Sequence, residues 1–324
     1  MTILQTVMGL VILLLGGDFL VRGAVAFAQR IHVPALVIGL TVVAFGTSAP
    51  EFVVSVEAVL GGSSDIAVGN VVGSNIANVL LVIGVPSLLY PTACNSPMLR
   101  RNTVFALVVS AIFIAVALDG TISVWNGGTL MVLLLVFIAY SAATDRRVPG
   151  VTQEVASEVE HHTYKGMTGA QIFLFISGGL AGLLSGAKLL VDGAIAIATA
   201  AEIPEPIIGL TLVAVGTSVP ELATALVAAA RRHSDVIVGT ALGSCIFNLA
   251  GVMGATALIT DVTVSSGFIR FDLWIMVGAL ALLTPFIFAH TAVRRWSGGI
   301  YLLAYGAYIL ALFLDYSAVN TSLD

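Results

Sequence analysis

Apolar residues run through this chain in stretches of about twenty, separated by short polar clusters, rather than recurring at every second position. Stretches such as Met8–Leu15 and Leu130–Ala139 are apolar throughout and lack the alternation of a membrane β-barrel strand. A helix needs about 20 apolar residues to cross the hydrocarbon of a bilayer. Dividing the chain at charges and at Gly, Pro and Ser clusters predicts ten spans, over 3–28, 36–60, 67–90, 102–119, 123–143, 170–199, 206–230, 237–259, 272–290 and 297–315. The first run lacks a preceding positive charge and is longer than the apolar core of a signal peptide, so it is expected to be the first transmembrane helix. The fold class this predicts is an all-α polytopic membrane protein.

Composition agrees. Of the 324 residues, 58% are hydrophobic and 10% charged, against about 25% charged in a soluble domain, and the mean hydropathy is +1.06. With a net charge of −5 and no Lys/Arg cluster longer than two, nucleic acid is excluded as a partner. Cys94 and Cys245 lie far apart, so neither a disulfide framework nor a zinc site is expected. Ten of the 13 Lys/Arg fall in alternate connections, at Arg30, Arg100, Arg101, Arg146, Arg147, Lys165, Arg231, Arg232, Arg294 and Arg295. The excess of positive charge on cytoplasmic loops therefore predicts both termini outside, a cytoplasmic loop at 144–168, and a multi-pass protein of the plasma (inner) membrane.

The chain also repeats itself at a shift of 170. Gly39-Leu-Thr-Val-Val-Ala-Phe-Gly-Thr-Ser-Ala-Pro-Glu51 returns as Gly209-Leu-Thr-Leu-Val-Ala-Val-Gly-Thr-Ser-Val-Pro-Glu221, and 21 of the 46 positions from 39–84 match 209–254. Similarity between unrelated apolar helices matches Leu, Val and Ala, not Gly-Thr-Ser-x-Pro-Glu, so the chain holds a duplication. The expected organisation is a five-helix repeat over 1–143, a cytoplasmic linker over 144–168 and a second five-helix repeat over 169–324. Five is odd, so the second copy inserts upside down. Two inverted halves mark secondary transporters, whose ion sites lie at mid-membrane where the halves meet.

Each copy carries its chemistry at one kink. In Gly46-Thr47-Ser48-Ala49-Pro50-Glu51 and Gly216-Thr217-Ser218-Val219-Pro220-Glu221 the proline has no N–H to give, so the Gly46 and Gly216 carbonyls are expected to lose their helical partners. This predicts that helices 2 and 7 are broken. A break exposes carbonyls that lipid cannot satisfy and a cation or water can. Hydroxyls and a carboxylate beside them form a hard-oxygen set suited to Na⁺ or Ca²⁺, without the soft donors that transition metals select. A charge at the bilayer centre costs at least ~2.5 kcal/mol; two acids at equivalent kinks argue against mere helix bending. The following span adds Ser74 with Asn78 and Ser244 with Asn248, each pair four apart on one helix face. Close packing competes as a reading of the small residues, less so of an Asn present twice.

Other charges read more plainly. Asp18/Arg22 and their mates Lys188/Asp192, spaced i, i+4 with signs exchanged, are expected to be local ion pairs. Asp65 and Asp235 are expected at helix N-termini, His161 and His162 in a solvated loop. Glu57, opposite Val227 in the repeat, is assigned no role.

The paired Gly-Thr-Ser-x-Pro-Glu motifs, each followed by Gly-Ser-x-x-x-Asn, resemble the cation/calcium antiporter family, specifically its sodium/calcium exchanger branch of prokaryotic type, over nearly the whole chain. The resemblance implies ten helices in two inverted halves, with helices 1 and 6 sliding past the rest during alternating access. It implies Ca²⁺ on Glu51 and Glu221 with the Thr47 and Thr217 carbonyls. It implies Na⁺ on the same glutamates with Thr47, Ser48, Ser74, Thr217, Ser218, Ser244 and the backbone oxygens of Ala44 and Ala214, with Asn78 and Asn248 flanking the middle of the site. Asn in both copies departs from relatives with Asp at one of these positions, the potassium-dependent branch among them. The Gly-Asn-Ala-x-Glu kink of proton-coupled relatives is missing, as is the large regulatory insert of animal exchangers.

The function expected is secondary antiport of Na⁺ against Ca²⁺, with Ca²⁺ exported. No cofactor is expected, and one chain is sufficient for transport. Ca²⁺/H⁺ or K⁺-dependent exchange is the alternative, and a cation channel ranks below it. An enzyme is not expected, because neither Ser48 nor Ser218 has a His or Lys in its motif to act as base.

Overall fold

Inside a bilayer the main chain satisfies its own hydrogen bonds, and the chain is helical almost throughout. The computed structural model describes residues 2–31, 48–145, 167–230 and 234–321. In the first half α1 (Thr2–Arg30) is followed by α2 (Ala49–Leu60), α3 (Ser64–Leu89), strand β1 (Thr92–Ala93), α4 (Pro97–Ala117), β2 (Thr121–Ile122) and α5 (Val124–Asp145). In the second half come α6 (Gly169–Ala201) and α7, in two pieces (Glu205–Thr217 and Val219–Ala230). Then follow α8 (Ser234–Ile246 continued by Phe247–Val252 and Met253–Ile259), β3 (Val262–Thr263), α9 (Phe268–Phe288), β4 (Ala292–Val293) and α10 (Arg295–Thr321). Among the described residues eight helices are long and apolar enough to span a membrane, and the bent α7 makes nine. The expected span over 36–60 is described from its break onwards, as α2. The ends of the other nine agree with the hydrophobic pattern to within a few residues. The loop histidines, the side chain of Asp235 and the first part of the first motif, with Ala44 and Thr47, lie outside the described residues.

Local chemistry sets the ends. Thr168 and Gln171 form a reciprocal capping box at the start of α6, which satisfies two N–H groups that would otherwise lack partners. Pro50 stands in the first turn of α2, where its missing N–H costs nothing.

The halves interlock through α3 and α8. Helix α3 is buried along nearly its whole length and α8 along most of its own, whereas α5 and α10 turn most of their surface outward. Helix α5 packs on the end of α8 as α10 packs on the end of α3, and α4 lies on α8 as α9 lies on α3. The short strands follow the same exchange. Antiparallel pairing joins β1 to β4 and β2 to β3, each bridge linking one half to the other.

Helices α1 and α6 form a separate pair along a seam of glycines. Gly9, Gly16 and Gly23 recur every seventh residue in α1, and their mates Gly179, Gly186 and Gly193 do so in α6. A Cβ on Gly16 would sit 2.5 Å from the Leu183 nitrogen and 2.7 Å from the Gly182 carbonyl carbon; one on Gly179 would strike the Leu20 main chain. Only glycine permits this backbone approach, which gains dispersion contact where lipid offers no hydrophobic drive. The expected ion pairs are present, Arg22–Asp18 at 2.8 Å and Lys188–Asp192 at 3.6 Å. Lys188 also reaches Glu57 of α2 at 3.5 Å, a partner for Glu57 that the sequence did not disclose.

Leucine at Gly16 or Gly179 is expected to cost at least ~2 kcal/mol through overpacking and to lower the thermal midpoint in detergent by several degrees. Leucine at the exposed Gly178, where a Cβ meets nothing within 4 Å, leaves it unchanged. Thermal melts followed by size-exclusion chromatography check both.

Candidate ion-binding site at the helix breaks

The break in α7 bends it by 41°. Ser218, at the break, has φ −81° and ψ 4°, and Ser48 has φ −93° and ψ 8°, in the sparsely allowed region between helix and strand. Ser218 ends one helical piece and precedes the next, and Ser48 stands at the N-cap of α2, so each Ser marks a helix N-terminus inside the protein. The turn closes more tightly than the missing proline N–H alone implies. Backbone N–H groups at this cap reach the carbonyls of both Ala214 and Gly216. The Gly216 carbonyl, expected to be freed by Pro220, is therefore satisfied by the tightened turn.

Glu51 and Glu221 stand in the first turns of α2 and of the second piece of α7, where the aligned peptide dipoles favour negative charge. Both carboxylates are fully buried. Ser48, Ser74, Asn78, Thr217, Ser218, Ser244 and Asn248 are buried as well. Asn78 opens a π-helical turn (Asn78–Val82), and Asn248 lies in the equivalent one (Phe247–Val252). Such widened turns in the i→i−4 ladder occur at functional sites.

Hydrogen bonds tie part of this set across the two halves. The Ser74 hydroxyl lies 3.4 Å from both the Ala214 carbonyl and the Thr217 hydroxyl, and Thr217 lies 3.3 Å from the same carbonyl. That carbonyl also accepts the Ser218 N–H at 3.1 Å. Ser244 donates to Glu221 Oε1 at 3.5 Å. Three further residues complete the site, and their sequence signal was weak because none has a like residue at the mate position. Asn70, facing Thr240 in the repeat, donates to the Glu51 carbonyl at 3.1 Å and the Ser55 hydroxyl at 3.0 Å and accepts from Thr217 at 3.0 Å. Ser55 faces Ala225. Asn75, facing Cys245, bonds to it and to Asn248. The available signal was polarity inside α3, a helix with no lipid-facing side.

What distinguishes this region is what its oxygens lack. Among the described residues, eleven buried side-chain polar atoms have no hydrogen-bond partner, and eight belong to the paired motifs. They are Ser48 Oγ, both oxygens of Glu51, both polar atoms of Asn78, Ser218 Oγ, Glu221 Oε2 and Asn248 Oδ1. Native proteins leave few such groups unsatisfied, and here seven of the eight are oxygens, three of them carboxylate oxygens of Glu51 and Glu221. That donor set fits a hard cation such as Na⁺ or Ca²⁺.

The profile of the family described as "Sodium/calcium exchanger protein" matches residues 1–143 and 171–314. The chain is 35% identical over 318 residues to the inner membrane protein YrbG of Escherichia coli, covering 96% of this chain and 95% of that protein. It is 30% identical over 339 residues to the sodium/calcium exchanger MaX1 of Methanosarcina acetivorans, covering 94% and 97%. Its fold is similar to a solved structure of the sodium-calcium exchanger NCX_Mj soaked with Na⁺ and Sr²⁺, with a TM-score of 0.63 and 29% identity over 95% of this chain and 97% of that one.

Asn70→Leu removes two donated bonds and one accepted bond from a buried network, leaving the Glu51 carbonyl and the Ser55 and Thr217 hydroxyls each short of a partner. The expected cost is about 1–3 kcal/mol, read as a lower thermal midpoint. Asn70→Asp, which keeps an acceptor for Thr217, costs less if protonated and is expected to recover stability as pH falls.

Proposed function

Because the chain belongs to the sodium/calcium exchanger family, we propose that it moves Ca²⁺ and Na⁺ alternately through the one site between the helix breaks, by alternating access. The observation that carries this reading is the concentration of unpartnered buried oxygens around Glu51 and Glu221. In this assignment the two glutamates and the Thr47 and Thr217 carbonyls hold Ca²⁺. The glutamates with Ser48, Ser74, Thr47, Thr217, Ser218, Ser244 and the Ala44 and Ala214 carbonyls hold Na⁺, and Asn78 and Asn248 flank the centre. The halves are taken as 1–143 and 169–324, joined by 144–168.

Charge supplies the coupling. Two carboxylates give the site a charge near −2, which one Ca²⁺ or two Na⁺ balances. The same oxygens cannot hold both sets, so occupancy by one ion excludes the other, and exchange rather than co-transport follows. The hydrogen bond of Ser74 to the Ala214 carbonyl adds a local switch, because an ion on that carbonyl displaces that hydroxyl. If a third Na⁺ binds through neutral oxygens, each cycle moves net charge and gains or loses ~2.3 kcal/mol per charge per 100 mV. The working direction in this reading is Ca²⁺ out of the cell against Na⁺ in. The protein sits in the plasma (inner) membrane with both termini outside, and every liganding residue comes from one chain.

In proteoliposomes loaded with Na⁺, ⁴⁵Ca²⁺ uptake is expected on dilution into K⁺ or choline medium and not into Na⁺ medium at the same pH. Uptake indifferent to the Na⁺ gradient and driven by a pH gradient instead would replace Na⁺ by H⁺ as the coupled ion; a requirement for K⁺ would mark the potassium-dependent alternative. Glu51→Gln and Glu221→Gln are each expected to lower Ca²⁺ uptake at least ~100-fold while eluting as the native protein does, since one remaining charge cannot balance Ca²⁺. At 100 times its Kd, Ca²⁺ stabilises the wild type by ~2.7 kcal/mol, and this stabilisation is absent from the double variant. Retained uptake in both single variants would sink the assignment.

A further inference from the structure

Asn75 and Cys245 are each other's repeat mates, and they touch. Asn75 Nδ2 donates to the Cys245 carbonyl at 3.2 Å, and Cys245 Sγ donates to the Asn75 carbonyl at 3.8 Å. A residue that meets its own mate lies on the axis relating the halves, here where α3 crosses α8. The reciprocal contact fixes a sense. A backbone carbonyl only accepts, so the NH₂ end of the Asn75 amide is held towards it, and the same nitrogen lies 3.7 Å from Met276 Sδ. Asn75 Oδ1 must then face the other way, where it accepts Asn248 Nδ2 at 3.2 Å. With its nitrogen committed, Asn248 is left with Oδ1, which is buried and has no partner among the described residues. One turn earlier in α8, Ser244 bonds Glu221. A main-chain carbonyl thus dictates, through two amides in series, which end of Asn248 is available to an ion.

Asn78, the mate of Asn248, has no such guide. The residue standing where Asn75 would stand for it is Cys245, whose thiol is spent on a main-chain carbonyl, and both polar atoms of Asn78 lack partners among the described residues.

We propose that Asn75 is a positioning residue that locks the Asn248 amide with its oxygen towards the transported cation, so that Asn248 is a fixed ligand while Asn78 turns freely. The proposal rests on the reading above that places Asn248 beside the centre of the ion site, and adds to it a ligand role for Asn248 Oδ1 towards Ca²⁺. Releasing Asn248 lets its NH₂ group face the cation, which weakens binding without removing any ligand.

The test is a double-mutant cycle on Na⁺-driven ⁴⁵Ca²⁺ uptake in proteoliposomes, reading half-saturation and maximal rate separately for the wild type, Asn75→Leu, Asn248→Ala and the pair. Asn75→Leu is expected to raise the half-saturating Ca²⁺ about tenfold, the worth of one net hydrogen bond, with the maximal rate per folded protein largely kept. In the Asn248→Ala background it is expected to add nothing. Asn75→Ala serves in the same cycle if the leucine variant does not reconstitute. A lower maximal rate with unchanged half-saturation, or an equal rise in both backgrounds, would make Asn75 merely structural and overturn the proposal while leaving Asn248 a ligand. Wild-type half-saturation in Asn248→Ala would overturn the ligand reading of Asn248 and this proposal with it. Neither result touches the glutamates, whose own variants test them.

Discussion

Two carboxylates buried in one low-dielectric pocket repel each other, and most of the architecture answers that fact. A single charge at the bilayer centre costs at least ~2.5 kcal/mol, and two at close range cost more. The start of α2 and the break in α7 bring two helix N-termini to the acids, so peptide dipoles oppose part of the repulsion. Burying nearly all of α3 and most of α8 keeps Ser74, Asn78, Ser244 and Asn248 away from lipid. In the function proposed, the remaining imbalance is left to the transported cations. A pocket that satisfied its carboxylates entirely from within would have no reason to bind a cation, so the unpartnered oxygens of Glu51 are as much part of the design as the bonds of Asn70.

The rest of the molecule divides into a frame and a pair. Helices α3–α5 and α8–α10 are cross-packed, and strand bridges join the two halves. Helices α1 and α6 adhere chiefly to each other, backbone against backbone. A glycine seam has no side-chain knobs to interdigitate, so it joins the two helices without keying them to the frame. The contact from Lys188 to Glu57 crosses from this pair to α2, and as a partly exposed ion pair it binds weakly.

Much of this was legible beforehand because the bilayer imposes a length and the duplication supplies an internal control. A twenty-residue apolar run has one available meaning, and Glu51 and Glu221 announced themselves by occurring twice at matching registers. The same control concealed Asn70, Ser55 and Asn75, whose mates are Thr240, Ala225 and Cys245. Searching for what recurs passes over residues that act by differing from their mates. The π-helical turns at Asn78 and Phe247 had no pattern to betray them, since they alter hydrogen-bond register without altering hydrophobicity. The Gly216 carbonyl keeps a partner because the turn tightens around Ser218, which the missing N–H of Pro220 does not by itself reveal.

The strand bridges carry a consequence about origins. Each joins an edge in one half to an edge in the other, and the two bridges exchange under the relation between the halves. A five-helix unit alone has nothing to pair with these edges; an identical unit inserted upside down supplies both, which is the contact of an isologous homodimer. In such a dimer every substitution appears twice, so an asparagine facing its own copy stays an asparagine facing an asparagine. Joining the copies in one polypeptide removes that restriction. Asn75 at the mate position of Cys245 and Glu57 at that of Val227 are differences that a dimer of identical chains could not hold.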